Sequence, residues 1–450
     1  VLVFKLTNIF NIFALLYKNN KRTMMKQFSL RLFALGLIVT AWGCGSGGNT
    51  GQVVGTTHRI NGTTPAPVGM TWVPSGVMHM GASDQDMRNA NDVKNRTVQM
   101  IGFFMDATEV TNMEYRQYVD WVRDSTAHSI LGDYKDNEDG SQSIDWKKKL
   151  KWNSEELQDA MAGYYVPASE SIWGKKEFDN AKLKYHYEAF DYDLMARQSV
   201  PGQQQTRSTY LNKYDPQVYP DTTVWMKMFS YSYNEPITHQ YFWHPSFNNY
   251  PVVGVNWYQA QAFCNWRTNY FRAFRDSKKM YLEGEFRLPT EEQWEWAARG
   301  GRTQSPYPWG GPYIVNKKGC YLANFKPNRG NYSADGGLYT VRADAYWPND
   351  YGLYNMSGNV AEWTLSPYEV STYNNVSDMS PMIRNKAKES DPTWWKRKTT
   401  RGGSWKDVAS FLQVSSRDYE FADTAKAYIG FRCIVQYIAP ALTNKSPKRK

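Results

Sequence analysis

Cysteine is scarce in this chain of 450 residues: Cys44, Cys264, Cys320 and Cys433 are all there are. No two of them lie close enough for a Cys-x-x-Cys metal or redox motif. Histidine is nearly as sparse, and His58, His79, His128, His186, His239 and His244 include no i, i+4 pair on an evident helix. A helical zinc or iron site of that kind is therefore excluded, and His239 and His244, set among proline and aromatic residues, read as structural. No Gly-x-Ser-x-Gly elbow and no phosphate-binding Gly-rich loop occurs, which removes the common hydrolase and nucleotide motifs. The body also lacks net charge. The formal charge of +10 sits at the ends: Lys5, Lys18, Lys21, Arg22, Lys26 and Arg31 have no acid among them, and Lys445, Lys448, Arg449 and Lys450 close the sequence. Residues 44–444 net to zero, so a phosphate-tracking groove is disfavoured and no nucleic-acid partner is expected.

Long apolar runs are missing too. Leu32 to Trp42 has signal-peptide length and is too short to span a bilayer as a mature helix. It follows the basic stretch Met24 to Arg31 and precedes Gly43-Cys44, which resembles a bacterial lipoprotein cleavage site with Cys44 as the lipidated residue. Trp42 departs from the usual box, and a signal peptide with an incidental cysteine is the alternative. Translation is expected to start at Met24 or Met25, which sets residues 1–23 aside. Gly45 to Pro67, rich in Gly, Thr, Asn and Pro, reads as a flexible tether. If Cys44 carries lipid, three cysteines remain in an oxidising compartment, enough for one disulfide and one leftover thiol. The expected organisation is a signal region at 1–43, a tether at 44–67, one domain at 68–440 and a basic tail at 441–450.

Aromatics are abundant, 16% of the chain with 18 Trp, and they suit a loop-rich fold pinned by rings. Gly69 to Gly81 reads as two short strands around a turn, and Phe103 onwards as a strand running to a helix start. Thr111 with Glu114 has capping-box spacing, and Tyr115, Tyr118, Val119 and Val122 form a helical stripe. A second helix is predicted over Trp257 to Phe274 and a third after Pro289, capped by Thr290 with Gln293 at its third position. Asp145 to Trp152 is also predicted helical. Beyond Gly300 the density of Gly, Pro, Asn and aromatics predicts ordered loops in place of regular sheet.

Five blocks in fixed order carry a resemblance. They are Pro251 to Trp257, Arg287 to Gly301 with its Arg-Leu-Pro-Thr-Glu-Glu-Gln-Trp-Glu-Trp core, Tyr351 to Trp363, Arg401-Gly402-Gly403-Ser404-Trp405, and Ile429 to Cys433. Together they resemble the formylglycine-generating enzyme, or sulfatase-modifying-factor, family over roughly residues 69–123, 235–363 and 398–437. The resemblance implies an irregular, loop-rich α+β fold of the C-type-lectin-like kind, with insertions at 124–234 and 364–397. The family's enzymes oxidise a substrate cysteine with oxygen, using two copper-binding cysteines just after the Arg-Gly-Gly-Ser-Trp motif. Here Asp407 and Leu412 occupy those two positions, and neither a carboxylate nor a hydrocarbon holds copper(I) well. No enzyme activity and no copper or iron is expected, although an oxidase with altered ligands stays open. Relatives that act on thiohistidine precursors use a His-rich iron site, which has no counterpart here.

The same resemblance implies two structural calcium sites. Asn324, Phe325, Asp335 and Gly337 match one, and Gly358, Asn359, Val360 and Glu362 the other, with oxygen ligands of the kind hard cations take. The alternative is that both loops are held by internal hydrogen bonds alone. It further implies a disulfide between Cys264 and Cys433, the matching pair in secreted members.

One branch shares more. Tyr219 to Trp225, Asn234 to Thr238, Tyr241 to Pro245 and Ser83 to Asp86 look like the lipoproteins of gliding motility and type IX secretion. That likeness implies an outer-membrane lipoprotein facing the periplasm, in a ring with copies of itself and a GldN- or PorN-like partner. Long insertions in compact domains tend to be functional or disordered, and aromatic density favours a docking surface. Trp146, Trp152, Trp173 and Trp225 are the candidate anchors if exposed, the alternative being that the insert thickens the core.

Overall fold

Thr111 starts the first long helix by exchanging hydrogen bonds with Glu114. Its hydroxyl accepts from the Glu114 amide while the Glu114 carboxylate accepts from the Thr111 amide at 2.8 Å, a capping box that satisfies two orphaned donors. Helix α1 then runs Asn112–Leu131 and stops where Gly132 takes the left-handed φ of 70°. Tyr115, Tyr118, Val119 and Val122 are buried along one face, as the spacing predicts. Helix α2 (Trp257–Ser277) ends three residues beyond the expected Phe274. Helix α3 (Glu291–Arg299) opens with a second capping box between Thr290 and Gln293 and closes on left-handed Gly300. The structure, a computed structural model, describes residues 66–82, 95–138, 140–171, 176–198, 206–232, 234–277, 284–369, 377–384, 387 and 391–436. Cys44 and its cleavage box, most of the tether, Ser83 to Asp86, Trp173 and the basic tail lie outside them.

The strands are short: β1 (Met70–Val73), β2 (Gly76–Met80), β3 (Arg96–Met100), β4 (Phe103–Asp106), β5 (Tyr134–Asp136), β6 (Gln142–Ile144), β7 (Tyr187–Phe190) and β8 (Leu211–Tyr214) precede α2. After it come β9 (Phe286–Arg287), β10 (Ala361–Pro367), β11 (Arg397–Arg401), β12 (Arg417–Phe421), β13 (Ile429–Gly430) and β14 (Ile434–Val435). One sheet has the order β1-β4-β14-β9 and a second β12-β11-β10-β13, with β2–β3, β5–β6 and β7–β8 as separate ribbons. The two strands expected around the turn at Pro74-Ser75 are present but do not pair with each other. β1 joins β4 and β2 joins β3.

Loops prevail over residues 301–360, as composition predicts, but sheet returns at Ala361. Every residue of β10 is buried, so it has no alternation to read, and β11 is Arg-Lys-Thr-Thr-Arg with four of five residues buried. A strand covered on both faces loses its period-2 signal, and a polar one hides further behind its charges. The helix predicted over 145–152 is also not there. The Asp145 side chain accepts from the Lys147 amide at 3.2 Å in a turn, Lys148 reaches Asp133 at 2.7 Å, and a short helix begins only at Glu155 after Ser154 caps it.

The main core packs α1 and α2 against the first sheet, with Tyr115 and Phe263 stacked at 5.5 Å and Phe431 edge-on to both. The long insertion is built into this fold. Leu183, Tyr185 and Val218 enter the main core, while Ala127, Leu157 and Met161 form a satellite cluster with Trp152, Tyr165 and Phe178.

Candidate functional site

The chain turns sharply after β11. Gly402 and Gly403 both take left-handed φ, and a Cβ on Gly403 would sit 2.8 Å from the Phe411 carbonyl oxygen, so only glycine lets the two segments close up. That closure brings residues 404–407 beside 411–412, and with them Asp407 and Leu412, the two positions at which the resemblance implies the thiol pair. Asp407 is spent on the turn: its Oδ2 accepts from the Ser404 amide at 3.0 Å and from Ser404 Oγ at 2.6 Å, and Lys406 lies 3.3 Å from Oδ1. Leu412 is wholly buried with Tyr307, Ala323 and Phe325. A cavity beside Gly403, Asp407 and Phe411 measures about 30 Å³, the share of one water molecule.

The two oxygen-bearing loops come together as one hydrogen-bonded unit. Gly358 packs directly on the Asn324 backbone, and the Asn359 amide donates to the Asn324 carbonyl at 2.8 Å. Asn324 Nδ2 donates to the Tyr339 carbonyl at 2.7 Å and to Asn359 Oδ1 at 3.2 Å, which also accepts from the Val341 amide. Asn324 Oδ1 is buried without a hydrogen-bond partner. Asp335 accepts from the Phe325 and Gly337 amides at 2.7 and 3.2 Å, and burial raises its carboxyl above the usual range. A Cβ at Gly337 would lie 3.0 Å from Asn324 Oδ1, so glycine keeps that oxygen uncovered. An orphaned amide oxygen near a buried carboxylate is a donor set a hard cation fits.

The second set does not fit one. Both Glu362 oxygens face Arg432, whose Nε lies 2.9 and 2.7 Å away and whose Nη2 lies 2.6 Å away, and Trp294 Nε1 donates to Oε2 at 2.8 Å. Asn359 turns its Nδ2 to Glu109 Oε1 at 3.0 Å, which leaves its side chain fully used. The match in residue type therefore breaks down at this site, because the carboxylate already has its cation. Val360 packs in an apolar cluster with Trp225 and Trp405.

Glu109 was not marked by the sequence, though it joins these loops to α1. It is fully buried, it accepts from Asn355 Nδ2 at 3.2 Å as well as from Asn359, and burial pushes its carboxyl up to about 8 against the pull of Arg432. An acid between a strand and a capping threonine looks like ordinary surface in one dimension.

A charged layer beneath the Arg-Gly-Gly motif was equally hidden. Glu295 on α3 accepts from Arg299 Nη2 at 2.6 Å, from the Gly81 amide at 3.0 Å and from Arg401. Glu291 pairs with Arg417 at 2.5 and 2.9 Å, and all five side chains are buried. The i, i+4 placement of Glu291, Glu295 and Arg299 on a helix that carries Trp294 and Trp296 was the available signal.

Cys264 on α2 and Cys433 before β14 are buried with their sulfurs 3.3 Å apart, whereas Cys320 is exposed. Of the candidate anchors, Trp225 is only 2% exposed and packs against Tyr241 and Trp405, so it belongs to the core and not to a docking surface. Trp152 is half-buried under Arg123, 4.7 Å from its ring, and Trp146 is 47% exposed while leaning on Trp121. Trp225 is thus spent on packing.

An irregular α+β domain with few helices, small sheets and long ordered loops is the fold these residues build. Its sequence matches the Sulfatase-modifying factor enzyme 1-like domain over residues 59–437, and the chain belongs to that family, the formylglycine-generating enzyme family. Mouse formylglycine-generating enzyme is 25% identical over 84% of this chain and 78% of its own length. The bovine protein named inactive C-alpha-formylglycine-generating enzyme 2 is 34% identical over 41% of this chain, covering 50% of its own length. Among solved structures, PvdO from Pseudomonas aeruginosa aligns over 82% of this chain and 94% of its own with a TM-score of 0.44 and 16% identity.

Proposed function

We propose that this chain is a non-catalytic, lipid-anchored structural member of its family, of the kind represented by the gliding and type IX secretion lipoprotein GldK, also called PorK. The observation that carries the first half is the fate of the thiol positions: one holds a turn-capping carboxylate, the other a buried leucine, with room for about one water beside them. Copper(I) needs soft thiolate ligands, and none stands there. The second half rests on the lipoprotein-like Gly43-Cys44 box and the branch motifs, with the lipid on Cys44 placing the domain at the periplasmic face of the outer membrane. Its partners are copies of itself and a GldN- or PorN-like protein. A GldJ-like lipoprotein shares the domain and is the second reading within this class.

The test has two arms. Purified protein given copper(I), oxygen and a cysteine-containing peptide is expected to form no aldehyde, and extraction from native membranes is expected to yield a ring containing the partner. Aldehyde formation above the metal-only background would overturn the first half, and a monomer free of partner in gently solubilised membranes the second.

Calcium is part of this reading as a structural ion held by Asn324 Oδ1, the Phe325 and Gly337 carbonyls and Asp335, where it would pin loops that lack a strand ladder. Bound calcium stabilises the fold by mass action, so wild type is expected to melt higher with calcium than with chelator, and Asn324→Ala to lose that difference. Glu362→Ala is expected to lower melting equally in both conditions, since it strips Arg432 of its counter-ion. Thermal scans of the three proteins read this out, and identical wild-type melting with and without calcium would remove the ion from the account.

A further inference from the structure

A large cavity lies away from the thiol positions, between the β7–β8 ribbon of the insertion and the α2–β9 edge of the family core. It measures about 640 Å³, well within the range of small-ligand sites. Tyr187 and Tyr214 stack at 5.0 Å on the ribbon side, and Trp257 and Phe286 face the cavity from the core side. Rings thus stand on both walls, with Tyr187 itself stacked between Tyr185 and Tyr214, and with Arg267 and Lys398 over the Phe286 and Trp257 rings.

Its charges are unevenly matched. The acids that line it are each near a cation: Glu285 meets Arg272 at 3.1 Å and Glu188 meets Lys213 at 3.4 Å. Arg287 and Arg384 also line it, and neither has a carboxylate within ion-pair distance among the described residues. Among the described residues Arg287 donates only to neutral oxygens, those of Leu288, Gln293 and Gln436 at 3.1, 2.8 and 3.2 Å. Gln261 Nε2, on the same wall, is a buried donor with no partner. Burial and the neighbouring Arg384 together draw the Arg287 guanidinium down to about 9, a cost that a bound anion would relieve. Asn265 and Asn269, tied to the Tyr185 hydroxyl, add amide groups beside these donors.

We propose that this cleft binds a carboxylate-bearing saccharide, its acid group met by Arg287 and Arg384 and its ring laid against the aromatic walls. A guanidinium pairs a carboxylate through two parallel hydrogen bonds, and a buried unsatisfied donor is rare unless something satisfies it. The volume exceeds what a simple inorganic anion fills, and the tyrosine hydroxyls and amides suit a polyhydroxylated ring. Because β7 and β8 belong to the insertion, this site is separate from the family's thiol chemistry and does not depend on the proposed function.

Calorimetry on the full-length protein in detergent, with a trigalacturonic acid probe, tests it. Trigalacturonate is expected to bind, with galactotriose and inorganic phosphate each weaker by tenfold or more. Arg384→Gln, at an exposed residue, is expected to weaken trigalacturonate binding by at least tenfold with melting unchanged. Tyr214→Ala, which removes a ring but no charge, is expected to weaken galactotriose and trigalacturonate alike. No binding at millimolar trigalacturonate, equal binding of phosphate or galactotriose, or an unaltered Arg384→Gln would each overturn the assignment.

Discussion

Glu295→Ala is expected to cost about 3–5 kcal/mol of stability, the usual penalty for stripping a buried cation of its partner. Glu295 is wholly buried and serves two guanidiniums at once, with one oxygen bound to Arg299 and the other to Arg401. The Gly81 amide loses its acceptor as well. Both arginines keep carbonyl contacts, Arg299 to Gly81 at 2.9 Å and Arg401 to Ser415 and Ser416 at 2.8 Å, and Arg401 keeps Glu291 at 3.7 Å, but that carboxylate is already clasped by Arg417 and carbonyl dipoles do not neutralise a buried charge. Urea unfolding followed by tryptophan fluorescence measures the loss, and Glu295→Gln should recover part of it by keeping one acceptor. A loss below about 1 kcal/mol would mean the layer is hydrated in solution, against its burial here.

The second large effect concerns Cys264 and Cys433. Their sulfurs meet across a separation of 169 residues, inside the main core, so oxidation is expected to join them and reduction to cost about 2–5 kcal/mol. Neighbouring contacts hold the geometry: the Cys433 amide donates to Asp106 Oδ2 at 2.8 Å, and Arg267, one turn along α2 from Cys264, reaches the same oxygen at 2.7 Å. Burial holds the Cys433 thiol well above its ordinary range, so once formed the bond should exchange slowly in the folded protein. Non-reducing peptide mapping of protein from an oxidising compartment should find these two peptides linked and Cys320 alkylated without denaturation. Recovery of both buried cysteines as free thiols after denaturing alkylation would end the proposal, and an unchanged melting temperature with reductant would deny the bond its energetic role.

How the candidate site reads from sequence depends on which residue is asked. Asp407 and Leu412 were legible because the glycine turn before them is itself a motif, and the structure puts a turn cap and a core side chain where the sequence placed an acid and a hydrocarbon. Asn324 and Asp335 were legible as oxygen donors, but Glu362 was read as one too and instead clasps Arg432. Residue type reports what an atom can bind, and only its neighbours report what it has already bound. Trp225 illustrates the same limit for surfaces, since a tryptophan in an insertion looks like an anchor until Trp405 is seen stacked on it at 5.9 Å.

Local order was in the sequence by itself. Thr111 with Glu114, Thr290 with Gln293, and the stripe of Tyr115, Tyr118, Val119 and Val122 specify helices through contacts three and four residues apart, which a linear reading can see. The glycines after Arg401 likewise announce their turn. Tertiary structure alone decided the rest. β10 and β11 became strands because long-range pairing and buried ion pairs outweighed a composition with no alternation, and the Glu295 layer, the Glu109 junction and the aromatic cleft join residues tens to hundreds of positions apart. Such contacts are set by how sheets and helices stack in three dimensions, and the free energy that makes them, desolvation balanced against charge pairing, belongs to the neighbourhood and to no single residue.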